Sequence, residues 1–153
     1  MAKGLMEHIE LEVLIQAPAQ KVWDGITNWQ AQSQWMLGTK VWPVDGDGTG
    51  VGGKIEAFTG IWRIGFLDTM EITTWDPPRL CDVNHTGRVV RGTGTFEVVA
   101  TSESTSKFIW SEDLDLPLGL LGKVGFFFVK PGFVYGVRKS LEKFASQVEQ
   151  GRL

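Results

Sequence analysis

Between Lys40 and Leu116 the chain alternates apolar and polar residues with a period of two, and after Leu116-Pro117 the period becomes that of a helix. This switch constrains the fold most, because only a strand sets residues i and i+2 on one face and only a helix sets i, i+3 and i+4 there. Turn signals punctuate the alternating region. Asp45-Gly46-Asp47-Gly48 reads as a hairpin, Thr59-Gly60 as a tight turn or bulge and Asp76-Pro77-Pro78 as a stop. Gly87 to Gly92 reads as another hairpin and Thr101 to Ser106 as a polar one. About six strands follow from that spacing, close enough for an antiparallel meander. Then Val134, Val137, Leu141, Phe144 and Val148 step by three and four, predicting a helix from about 132 to 149 with Gly151 as its stop. The apolar, Gly-rich run Leu118 to Phe128 precedes it, and Pro131-Gly132 separates or kinks that run from the helix.

Upstream, Ile9, Leu11, Val13 and Ile15 share one face against His8, Glu10 and Glu12, so a half-buried strand opens the chain. Ala17-Pro18 ends it, and Val22, Trp23, Ile26 and Trp29 predict a short amphipathic helix over 18–28. A second short helix is expected over Gln30 to Met36. The resulting order specifies an α+β fold in one domain, 1–153: a curved antiparallel sheet wrapped on a terminal helix.

Composition narrows the function. Lys and Arg number 15 against 18 Asp and Glu, a net charge of −3, which leaves no basic face for nucleic acid. One Cys excludes a disulfide framework, and two His make a zinc site unexpected, so no metal and no cofactor is expected. Met1 to His8 lacks the apolar run of a leader, and no uncharged apolar stretch reaches membrane-spanning length. The expectation is a soluble, cytoplasmic protein. Its 19 Gly beside 7 Trp and 9 Phe suit a sheet bent at its glycines, with aromatics on the inner face.

Two motifs tempt and fail. Gly48-Thr49-Gly50-Val51-Gly52-Gly53 spells a dinucleotide fingerprint, but the following Lys54 to Phe58 alternates as a strand where the chemistry needs a helix N-terminus. Cys81 and His85 share a strand face, yet four strand residues span roughly 13 Å, too far for a nucleophile and its base. Cys81 reads as a small buried hydrophobe. More telling are ionisable residues on apolar faces. Asp68 falls among Phe66, Met70 and Ile72; His85 continues the face of Cys81 and Val83; Glu112 interrupts Phe108, Trp110 and Leu114. Buried charge is costly unless paired, hydrated or liganded. A bulge or a wet sheet edge gives the same pattern; otherwise the three are polar groups in an apolar small-molecule cavity.

The element order, Ala17-Pro18 with Val22-Trp23 and Trp29, Gly50-Val51-Gly52-Gly53-Lys54-Ile55, Trp75-Asp76-Pro77-Pro78, His85-Thr86-Gly87-Arg88-Val89-Val90-Arg91-Gly92 and Leu114-Asp115-Leu116-Pro117-Leu118-Gly119 together resemble the polyketide cyclase/dehydrase family. This belongs to the START-like (SRPBCC) helix-grip superfamily, and the resemblance, covering about 7–150, is to bacterial members of actinobacterial type. It implies a seven-stranded antiparallel sheet gripping the C-terminal helix around a hydrophobic cavity. The superfamily's activities are diverse, so the fold does not choose among them. The expected ligand is a hydrophobic polyketide, lipid or aromatic metabolite, lined by Trp35, Phe58, Phe66, Met70, Trp110 and Phe128 and oriented by Asp68, His85 and Glu112. An enzyme would add a dehydration or aldol-type cyclisation, with His85 as general base or acid and Asp68 or Glu112 assisting. The alternatives are a non-enzymatic carrier, or an interaction module using the apolar 118–128 segment.

Overall fold

Alternation in the first strand, β1 (Leu5–Ile15), buries Ile9, Leu11 and Ile15 and exposes His8, Glu10 and Glu12. The structure is a computed structural model that describes residues 5–153; Met1 to Gly4, half of the segment expected to lack a leader, lie outside the described residues. Helix α1 (Ala19–Ile26) follows Pro18, and a 3-10 turn covers Trp29–Gln34. Six strands come next: β2 (Thr39–Asp45), β3 (Lys54–Ile61), β4 (Ile64–Asp76), β5 (Leu80–His85), β6 (Gly92–Ala100) and β7 (Ser106–Leu116). Helix α2 (Gly119–Glu149) closes the fold.

The sheet order is β1-β7-β6-β5-β4-β3-β2, antiparallel throughout. Each of β2 to β7 therefore pairs with its chain neighbour, and β1 returns to pair with β7 in an unbroken ladder from Leu5↔Leu116 to Ile15↔Ser106. The glycine-rich 48–53 segment is the loop before β3, followed by a strand as its alternation required. Thr59-Gly60 is not the turn expected there. Gly60 lies within β3, paired with Gly65 of β4, and the chain reverses two residues later at Trp62, in the left-handed region (φ 58°).

The core is solid at one end. Phe108 and Phe144, both fully buried, meet edge-to-face at 5.5 Å, and Trp35 lies 4.8 Å from Phe144. Helix α1 approaches here because Gly25 has no side chain: a Cβ would sit 3.1 Å from the Phe144 ring. The C-terminal part of α2, with Ser140, Leu141, Phe144, Ala145 and Val148 buried, fills this end.

Helix α2 begins 13 residues before the expected start near 132 and carries Pro131 inside it. A proline removes one backbone donor and crowds one turn, which a long helix tolerates as a local bend. The N-terminal part escaped detection because it is apolar on both faces. Phe126 and Phe133 turn towards the interior and Val129, 62% exposed, edges the cavity, while Leu120, Leu121, Val124, Phe127 and Phe128 stay exposed, erasing the period. One 18-residue window of this helix reaches a mean hydropathy of 1.3 with 0% of it buried. By length and mean hydropathy alone this window reaches the spanning range. No uncharged apolar stretch of that length occurs, however, because Lys123 and Lys130 interrupt it, and the helix's other end is core.

Candidate functional site

Beyond the packed end, the inner face of the sheet and the middle of α2 enclose a cavity of about 450 Å³. Strand parity supplies its wall: Ile55, Ala57 and Thr59 from β3, Phe66, Asp68 and Met70 from β4, Cys81, Val83 and His85 from β5. Trp110, Glu112 and Leu114 of β7 complete that side. On α2 the spacing of Phe126, Val129, Phe133, Gly136, Val137 and Ser140 covers the opposite side. Gly136 contributes a gap rather than a contact, since nothing lies within 4 Å of where its Cβ would be.

Three ionisable side chains converge on this apolar wall. His85 Nδ1 lies 2.8 Å from Asp68 Oδ1, and His85 Nε2 lies 2.8 Å from Glu112 Oε2. The side chain of His85 is 3% exposed and those of Asp68 and Glu112 12% each. Register explains the meeting. His85 pairs with Met70, so Asp68 is its diagonal neighbour on the same face. Glu112 comes from two strands away, reaching across β6 over Gly94, with which it pairs. A Cβ on Gly94 would sit 2.9 Å from Glu112 Oε1, so glycine is what lets this side chain pass.

Burial opposes a charged His85, but the hydrogen bonds and charges of Asp68 and Glu112 outweigh it and raise its pKa to about 9. The imidazole is therefore a cation at neutral pH, with both N–H groups donated to carboxylates. Burial raises the pKa of Glu112, with the charges of Asp68 and Asp113 adding and the imidazolium opposing. Burial, with the charge of Asp82 adding, pushes the Cys81 thiol up to about 12, which suits packing rather than nucleophilic attack.

Most other polar groups on the wall bond within the protein. Gln32 donates Nε2 to Ile26 O, Ser140 accepts from Leu37 N, and the Thr39 and Thr59 hydroxyls lie 3.0 Å apart. Trp35 is the exception: its buried Nε1 has no acceptor among the described residues. No group of three or more His, Cys, Asp or Glu is disposed to hold a metal among the described residues.

The structure thus sets Trp35, Phe66, Asp68, Met70, His85, Trp110 and Glu112 on one cavity. Phe58 and Phe128 are corrections. Phe58 follows Glu56 on the other face of β3, opposite Leu67, because parity gives the cavity to Ala57 and Thr59. Phe128 is 75% exposed, one helical position away from the cavity-facing Val129. Sequence reasoning missed Gly94, although a glycine inside a strand signals a close approach. It also missed Phe126, whose helical context was hidden, and Gly136, which lies within the expected helix but carries no side chain to mark a face.

A family model described as "Polyketide cyclase / dehydrase and lipid transport" matches residues 6–149. Among solved structures, the Zhui aromatase/cyclase of a Streptomyces species superposes with a TM-score of 0.78 at 16% identity, covering 95% of each chain. A Thermus thermophilus protein gives 0.76 at 14% identity, over 96% of this chain and 100% of that one. Norcoclaurine synthase of Thalictrum flavum, solved with dopamine and hydroxybenzaldehyde, gives 0.67 at 16% identity over 97% of this chain and 89% of that one. At such identities the likeness is one of fold, the helix-grip arrangement of sheet and terminal helix. No curated protein sequence matches significantly.

Proposed function

The chain belongs to the polyketide cyclase / dehydrase and lipid transport family, and on that premise we propose that it binds one hydrophobic small molecule bearing a hydrogen-bond donor. The observation carrying this reading is the carboxylate–imidazole–carboxylate cluster on the wall of an apolar cavity. Its volume of about 450 Å³ falls in the range of small-molecule sites. With both ring nitrogens engaged, His85 offers a ligand neither a lone pair nor a free N–H. What remains are Asp68 Oδ2 and Glu112 Oε1, which make no hydrogen bond among the described residues. Both are acceptors. A phenol or enol hydroxyl satisfies them; a ligand carboxylate meets like charge in a poorly solvated site.

A second reading rests on the raised pKa of Glu112, which brings a buried carboxyl towards the range where it can both take and return a proton. In a dehydration, Glu112 removes a proton from the carbon beside a carbonyl and returns it to the departing hydroxyl, so that water leaves and no proton is consumed. With both ring nitrogens occupied, His85 positions Glu112 in this reading, whereas the sequence alone points to His85 as general base or acid with Asp68 or Glu112 assisting.

Calorimetric titration with naphthol and naphthoate tests the binding site. Naphthol should bind the wild type at least ~10-fold more tightly than naphthoate, and Asp68→Asn with Glu112→Gln should shrink that preference. Equal binding of the two, or a preference untouched by the substitutions, contradicts the proposal. Under the catalytic reading, Glu112→Gln abolishes dehydration of a β-hydroxyketone while naphthol still binds; full turnover in that variant overturns it.

A further inference from the structure

Strands β3, β5 and β7 finish, and β4, β6 and α2 begin, at the same end of the sheet. This end is exposed and apolar. Ile61, Trp62 and Ile64 at the β3–β4 turn are 80%, 96% and 84% exposed, and Leu118, Leu120, Leu121, Phe127 and Phe128 are 70–78% exposed. Single exposed apolar residues are ordinary; a cluster at one end of a fold marks a docking surface.

Its charge says what docks. The turns and helix start here, residues 57–67, 86–91 and 117–135, contain Arg63, Arg88, Arg91, Lys123 and Lys130 and no Asp or Glu. The adjoining ends of β1 and β7 add Glu7, Asp113 and Asp115, so cations exceed acids at this end of a chain whose net charge is −3. Arg91 pairs with Asp115 and Lys130 with Glu7, whereas Arg63, Arg88 and Lys123 form no ion pair among the described residues. The acids at this end, Glu7, Asp113 and Asp115, are already paired with Lys130, His8 and Arg91, so a second copy of the chain would set the unpaired Arg63, Arg88 and Lys123 against one another. An anionic bilayer supplies the missing charge, and its interface is where Trp and cationic side chains partition.

We propose that this end docks on the surface of a lipid bilayer carrying anionic headgroups, with Trp62 and the outer face of the first turns of α2 buried among the headgroups and upper acyl chains. The contact is interfacial, because Ser140 to Val148 of the same helix lie in the protein core. Phe66, Val90, Phe126 and Val129, from this end of the fold, line the cavity. If the ligand-binding reading holds, docking therefore delivers a hydrophobic ligand from the bilayer without a passage through water; the docking itself stands independently of it.

Vesicle flotation tests the surface, comparing phosphatidylcholine mixed with phosphatidylglycerol against phosphatidylcholine alone. The wild type should float with the anionic vesicles only and be released by high salt. Arg63→Glu with Lys123→Glu should weaken binding by at least roughly fivefold per removed cation. Trp62→Ser with Phe127→Ser should abolish flotation while the melting temperature stays unchanged; the charge variant carries the test should that one fold poorly. Calorimetry with naphthol on the charge variant separates the two proposals, since cavity binding is then untouched. Equal flotation with both vesicle types, flotation unaffected by either variant, or a dimer in light scattering that Trp62→Ser dissociates overturns the proposal.

Discussion

His85 donates one N–H to Asp68 and one to Glu112, so its state sets the charge of the whole site. Its pKa rises on folding from 6.5 to about 9. The associated stability is complete below about pH 6.5 and is lost as pH rises through about 9. Glu112 acts in the same direction, because folding disfavours its ionised form. The melting temperature of the wild type should therefore fall between about pH 6.5 and 9, and His85→Gln should flatten that fall. His8 and every other titrating group remain in both proteins, so equal slopes would contradict the assignment. At this scale the sequence was partly legible. Parity put Asp68, His85 and Glu112 on apolar faces, but register decides whether such residues meet, and register is set by pairing across the sheet. The same parity rule, applied strictly, excludes Phe58 from the cavity.

Helix α2 has three parts with different jobs: an exposed apolar start, a middle that walls the cavity, and a buried end. The end was legible, since Val134, Val137, Leu141, Phe144 and Val148 keep helical spacing with charges opposite. The start was not, because its two apolar faces leave no contrast for a period to show. Packing energy concentrates at the end. Phe144 touches both Trp35 and Phe108 and is fully buried, so Phe144→Ala should cost about 3–5 kcal/mol in a denaturant titration. A loss below about 1 kcal/mol would mean that this end is not the packed core.

The molecule as a whole is graded from a solid end, through a hollow centre, to an exposed cationic and apolar end. The antiparallel meander followed from turn signals at nearly every reversal, and the family resemblance agrees with the match over 6–149. The cavity did not follow from them, because an empty volume depends on where sheet and helix fail to meet. The site's polarity is likewise a property of the assembled fold, with Gly94 opening the path that Glu112 needs across β6.

That the hollow centre is the binding site is the central claim, and filling it tests the claim most directly. Gly136 has open space where a side chain would stand, so Gly136→Phe should occupy the cavity and leave the fold intact. Calorimetric titration of naphthol should give one site per chain in the wild type and in Trp62→Ser, and no binding in Gly136→Phe at an unchanged or higher melting temperature. Undiminished binding to a folded Gly136→Phe would place the ligand elsewhere and contradict the account.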